Sequence, residues 1–186
     1  MSSVINLWIF YVAGYAIAYS LQIWANRKRG EPFDDPEFLF QGKNIIVPAL
    51  LWLIGGFIIS LFVPVNFGFL FYLGLFFAIV GLLIGGLAMY SFAHERGLTT
   101  TKIHRYSRNP VYVGWTFFIG GLSLIGWSES VWSIIFLIYF IITLPYFHWT
   151  VLLEEAFLAT KYGDSYQEYR KITPRYLGIP KKLPSQ

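Results

Sequence analysis

Charge is missing from this chain in blocks. Residues 1–26 hold no Asp, Glu, Lys or Arg, nor do residues 44–94, and residues 110–153 hold only Glu129. A membrane-crossing helix takes roughly 20 mostly apolar residues, so the three blocks have room for five. Charged residues make up 13% of the chain and hydrophobic ones 56%, whereas soluble domains carry about 25% charged residues. The chain therefore reads as an all-α, polytopic membrane protein. The first apolar run has no basic segment before it and no small-residue cleavage site after it, so it reads as a retained span rather than a signal peptide. No cysteine is present, which excludes disulfides, thiol nucleophiles and thiolate metal sites.

The predicted spans are 4–24, 44–63, 69–92, 111–126 and 131–153. A loop with Arg27, Lys28, Arg29, Glu31, Asp34, Asp35 and Glu37, broken by Pro32 and Pro36, joins the first two. Short uncharged turns follow at 64–68 and, apart from Glu129, at 127–130. The 14 basic residues then distribute without exception. Arg27, Lys28, Arg29 and Lys43 fall in the first loop, and Arg96, Lys102, Arg105 and Arg108 in the third. Lys161, Arg170, Lys171, Arg175, Lys181 and Lys182 fall in the tail. Five spans put them all on one face, which the positive-inside rule makes cytoplasmic, with the N-terminus outside. The net charge of +4 thus follows a membrane pattern, and a nucleic-acid partner is not expected. The organisation expected is an N-terminal part, 1–93, with three spans and a catalytic part, 94–186, made of loop, hairpin and tail.

Within the spans, Gly81 and Gly85 form a small-xxx-small pair suited to close helix packing. Pro145 removes a backbone donor and predicts a kink in the fifth span. His94, His104 and His148 lack the spacing of a helical metal site, and no metal is expected.

Two places gather chemistry at membrane edges. In Arg105-Tyr106-Ser107-Arg108-Asn109-Pro110-Val111-Tyr112, Pro110 suits the first turn of a helix. The free N–H groups and positive dipole of such a helix start suit a bound carboxylate. The plainer reading of Arg105 and Arg108 is topology-setting charge that snorkels to headgroups. The other place is Glu154-Glu155, either a solvated helix end or a site, since carboxylates disfavour a helix C-terminus. A hairpin of the last two spans brings both places to one face. Basic residues interleaved with aromatic ones in the tail read as an interfacial helix.

Residues 98–180 resemble the isoprenylcysteine carboxyl methyltransferases and phospholipid methyltransferases. Those enzymes share Arg-His-Pro-x-Tyr, an apolar hairpin, Glu-Glu, an aromatic-Gly and Tyr-x-x-Tyr followed by basic residues. Here these are Arg108-Asn109-Pro110-Val111-Tyr112, Glu154-Glu155, Tyr162-Gly163 and Tyr166-Gln167-Glu168-Tyr169-Arg170-Lys171. Asn109 stands where the family has His, His104 where a Tyr is common and Lys102 where Gly is frequent, and the basic residue before the Glu pair is missing.

The resemblance implies S-adenosylmethionine as cofactor and a lipid-like or prenylated acceptor, most like carboxyl O-methylation of an isoprenylcysteine. It implies Arg108, Glu154, Glu155 and His104 as catalytic residues. Cofactor binding would fall to Arg105, Tyr106, Arg108, Asn109, Pro110, Tyr112, Glu155, Tyr166 and Tyr169. Arg108 and the helix start would take the cofactor carboxylate, and Glu154 or Glu155 its ammonium or diol. For an amine acceptor, His104 or His148 would handle the proton. Phospholipid amine N-methylation, a nicotinamide-dependent membrane reductase and a non-catalytic relative stand as alternatives.

Overall fold

The computed structural model describes residues 5–32 and 45–181. The expectations for Asp34, Asp35, Pro36, Glu37, Lys43, Lys182 and the outer ends of the first two spans lie outside the described residues. Within them the chain forms five α-helices: α1 (Trp8–Arg29), α2 (Ile46–Ser60), α3 (Phe69–His94), α4 (Pro110–Ile125) and α5 (Val131–Ile172), with a single 3-10 turn, Lys102–Arg105, ahead of α4. The all-helical membrane fold expected from the hydropathy is what forms. Two helices, α3 and α5, are long and apolar enough to cross a membrane, while α2 and α4 are shorter apolar helices.

The packing is inverted relative to a water-soluble bundle. Leu51, Phe69, Tyr72, Phe76, Leu83 and Ile142 each expose more than half their surface, whereas Gly74, Ala78 and Gly81 are buried. Apolar tails outside a helix remove the hydrophobic drive for helices to associate, so close van der Waals packing of small residues takes over. Along the α3–α4 seam a Cβ at Gly81 would lie 2.5 Å from the Gly114 carbonyl oxygen, and one at Gly114 would lie 2.7 Å from that of Gly81. No other residue fits either position. The rest of the core mixes aliphatic side chains such as Leu7, Ile119 and Leu122 with aromatic ones: Tyr15 stacks on Trp115 with ring centroids 4.5 Å apart and meets Phe118 edge-on. The Trp52 indole N–H, on α2, donates to Thr143 Oγ1 on α5 at 2.9 Å.

Two predicted boundaries move. Helix α1 runs on past residue 24 to include Arg27, Lys28 and Arg29, and ends at Gly30 in the left-handed region (φ 79°). Helix α5 spans 42 residues with a break at Gly163; the stretch before the break, 131–162, is about 48 Å long at 1.5 Å per residue, well beyond the ~30 Å apolar thickness of a bilayer. Pro145 lies inside the helix, and the backbone leaves helical geometry at Gly163 (φ 52°, ψ −127°).

Candidate active site

The extension of α5 sets the site. Because the helix does not stop at residue 153, Glu154 and Glu155 are mid-helix and no longer oppose a C-terminal dipole. Successive helical residues point about 100° apart, so the two carboxylates part company. Glu155, 6% exposed, turns into a clamp. It accepts from Arg108 Nη2 at 3.0 Å and Nε at 3.3 Å, from Asn109 Nδ2 at 3.1 Å, and from Arg175 Nη2 at 3.0 Å and Nε at 3.1 Å. Arg108 also donates through Nη1 to the carbonyls of Arg170 (2.8 Å) and Thr173 (3.3 Å), which ends α5 on a guanidinium. The segment after α5 is held alongside: Arg108 N–H donates to Pro174 O and Gly178 N–H to Tyr106 O. Asn109 Nδ2 reaches Arg175 O as well, at 3.1 Å. A charge this buried is stable only when paired and fully hydrogen-bonded, and here it is.

Glu154 takes the other direction and lines a cavity of about 300 Å³, at the lower end of the range for small-molecule sites. Arg108, Asn109, Pro110, Val111 and Tyr112 at the start of α4 form one wall. Phe157, Leu158, Lys161 and Tyr162 continue the α5 face below Glu154, and His104 and Tyr169 also line it. The remaining wall is Arg29, Glu31, Pro32, Phe92 and residues 97–99. Tyr169 OH donates to the His104 carbonyl at 2.6 Å, fixing the 3-10 turn against the tail. Lys102, at the position where the resembling enzymes frequently have Gly, has φ 52°. That left-handed conformation favours Gly, and its ammonium lies over the Tyr90 ring at 4.1 Å.

Of the residues singled out in the sequence, His104, Arg108, Asn109, Pro110, Tyr112, Glu154 and Tyr169 therefore surround one cavity. Glu155 stands behind it, acting on Arg108 and Asn109. Tyr166 is buried without lining it, and Arg105 and Tyr106 face outward. His94 bonds Lys28 and the Tyr90 carbonyl, and His148 bonds Tyr176 OH at 2.6 Å, so neither reaches the cavity. Arg29, Arg175, Phe92 and Lys161 escaped the sequence reading as site residues.

The electrostatics follow from these contacts. Burial pushes the Glu155 carboxyl up, but the Arg175, Arg108 and Asn109 contacts outweigh it and hold it below the ordinary carboxylate value. Burial pushes the His104 imidazole down from 6.5 to about 4, with Glu95 pulling weakly the other way. His104 is thus neutral at pH 7, and its buried Nδ1 has no hydrogen-bond partner among the described residues. Tyr169 is raised by its burial.

An all-helical membrane protein with a mixed ionic and aromatic cavity at the junction of an apolar hairpin and a polar tail defines the class. The phospholipid methyltransferase family model matches residues 44–165, and the chain belongs to that family. Over 86 residues it is 38% identical to a protein-S-isoprenylcysteine O-methyltransferase of Schizosaccharomyces pombe, covering 45% of this chain and 33% of that protein. Over 97 residues it is 28% identical to a methanethiol S-methyltransferase of Crocosphaera subtropica, covering 50% of this chain and 35% of that protein. The matched stretch spans about a third of the length of each of these relatives. No solved structure matches the chain.

Proposed function

We propose that this chain transfers a methyl group from S-adenosylmethionine to a lipid or lipid-modified acceptor at the cytoplasmic membrane face. The observation that carries this reading is the ~300 Å³ cavity in which Glu154, Arg108, Lys161 and the start of α4 meet Tyr112, Phe157 and Tyr169. The donor set fits the cofactor. The N–H groups and positive end of α4 favour its carboxylate, Glu154 favours its cationic groups, and the aromatic rings offer faces for adenine. The unpartnered buried Nδ1 of His104 gives a ligand one more hydrogen-bonding group to satisfy. When bound, S-adenosylmethionine supplies an electrophilic methyl group on a sulfonium. The protein's part is alignment of the acceptor and exclusion of water. A carboxylate acceptor, already anionic, needs no base. An acceptor that sheds a proton would find neutral His104 on the cavity wall.

The placement of all fourteen basic residues supports five passes with the N-terminus outside. Single cysteines test it in a cysteine-free chain: Ser130→Cys should label from outside and Ser165→Cys only from inside, and the reverse would overturn the topology.

A small thiol acceptor is a second reading, favoured by the methanethiol relative. A second cleft, about 50 Å³, bears on the choice. It lies between α1 and the α3–α4 seam, lined by Leu21, Gly85, Gly86, Met89 and Trp115, and Val111 lines both it and the larger cavity. An acceptor reaching the site sideways would keep its tail in hydrocarbon, preserving about 0.8 kcal/mol per methylene. A Cβ at Gly85 meets nothing within 4 Å, so Gly85→Leu adds apolar bulk at the cleft wall from a position with room for a side chain to start. The test is methyl transfer from labelled S-adenosylmethionine to prenylcysteine, phospholipid and small-thiol acceptors, in wild type and Gly85→Leu. The lipid reading expects affinity to fall as the tail is shortened, and KM for the long-tailed acceptor alone to rise in Gly85→Leu. Equal turnover of long-tailed and tail-free acceptors at low concentration favours the thiol, and absence of cofactor binding by calorimetry removes both.

A further inference from the structure

The family match begins at residue 44, yet one wall of the cavity is organised by a residue of α1. Arg29 is 4% exposed and its donors fan out to separate segments. Nη1 donates to Phe92 O at 3.1 Å and to Thr99 Oγ1 at 3.2 Å, Nη2 to Gly97 O at 2.7 Å, and Nε to Glu31 Oε2 at 3.0 Å. Its Cζ lies 4.0 Å from the centre of the Phe92 ring. Phe92 sits in the last turn of α3, where carbonyls have no donor of their own within the helix. The guanidinium therefore caps α3 from another helix. It also lies at the negative ends of both α1 and α3, which favour a cation. Every segment it touches lines the cavity. Glu95 completes the turn from below, accepting from Thr100 N–H at 3.0 Å and Thr101 N–H at 3.3 Å.

From this arrangement we infer that α1 is part of the cofactor site, with Arg29 as a positioning residue that fixes Phe92 and the 97–99 turn as one wall. The inference rests on the methyl-transfer reading for the identity of the ligand, and on geometry alone for the wall. Lys in place of Arg keeps the charge but cannot reproduce the planar fork that spans three acceptors. Met keeps some of the length and none of the donors.

Two measurements on the full-length protein in detergent test it. Hydrogen exchange should speed up tenfold or more over residues 96–101 in Arg29→Met and less in Arg29→Lys, with α4 unchanged. Calorimetry with S-adenosylmethionine should show Kd weakened roughly 10- to 100-fold in Arg29→Met, with Arg29→Lys between it and wild type and the number of sites per chain unchanged. A purely structural arginine gives the opposite pattern, fewer competent chains with an unaltered Kd, and that result overturns the inference. If wild type binds no S-adenosylmethionine, the proposed function falls on its own account. The exchange measurement then decides alone, and unaltered exchange over 96–101 in Arg29→Met refutes the wall.

Discussion

Arg108 and Arg29 are both buried, both line the cavity and both end a helix to which they do not belong. Arg108 closes α5 through the carbonyls of Arg170 and Thr173, and Arg29 closes α3 through that of Phe92. Their counter-charges differ. Arg108 faces a carboxylate as buried as itself, which it shares with Arg175 and the Asn109 amide. Among the described residues Arg29 faces mostly neutral oxygens, and its one carboxylate there, Glu31, is 53% exposed. A buried pair is easily broken by removing one charge, because the other is left uncompensated. A cation among carbonyls with a solvated partner depends on no single group. The same residue type thus makes a brittle joint on one wall and a distributed one on the other.

The largest expected effect follows from the brittle joint. Glu155→Gln keeps the shape but leaves Arg108 and Arg175 facing an amide that brings donors of its own. Breaking a buried pair costs about 3–5 kcal/mol, so a clear drop in thermal midpoint in detergent is expected. Faster hydrogen exchange over residues 173–178 and weaker S-adenosylmethionine binding should accompany it. Thermal unfolding no worse than that of Glu31→Gln would erase the distinction between the two walls.

A middle-sized effect comes from pH, and it too falls on the Arg108 side. The His104 pKa is lowered to about 4 from 6.5 on folding. Between those values the unfolded chain binds the extra proton, so stability falls as pH drops from about 6.5 to 4. The full loss is on the order of 3 kcal/mol. His104→Gln should flatten that part of a midpoint-against-pH curve; an unchanged slope would dismiss His104 as its source. The folded Glu155 pKa is depressed, so its contribution is complete above the unfolded carboxylate value, about 4.3. It is lost only as pH falls through the lower folded value. Residues 173–178 should therefore loosen in a second, more acid step.

Much of this was readable beforehand, for reasons that also mark the limits. Charge-free blocks reveal helices that lipid will surround, and Pro110 after two basic residues marks where α4 starts. The extent of α5 was hidden, because beyond residue 153 polar and aromatic residues replace the apolar signal while the backbone stays helical up to the break at Gly163. Glu154 and Glu155 are adjacent and chemically alike, so only the helix phase decides which meets the cavity. Arg29 is one of three consecutive basic residues, and nothing local says which of them turns inward. Arg175 is one of six basic residues in the tail, and its partner lies twenty positions away on a helix. Long-range pairing, rather than composition, selects both.

The smallest effect is the one that sharpens the comparison most. Glu31→Gln removes the only carboxylate bonded to Arg29 among the described residues, yet leaves Phe92 O, Gly97 O and Thr99 Oγ1 in place. Exposed ion pairs contribute about 0–1 kcal/mol, because water screens the attraction and ordering two long side chains has its own cost. The thermal midpoint of Glu31→Gln should therefore stay close to wild type, and raising the salt concentration should shrink even that difference. Exchange over residues 96–101 should change little, in contrast to Arg29→Met, because the bonds that fix the turn are to carbonyl and hydroxyl oxygens. A loss in Glu31→Gln as large as that in Glu155→Gln would show that the solvated carboxylate carries the Arg29 wall after all, making the two joints alike.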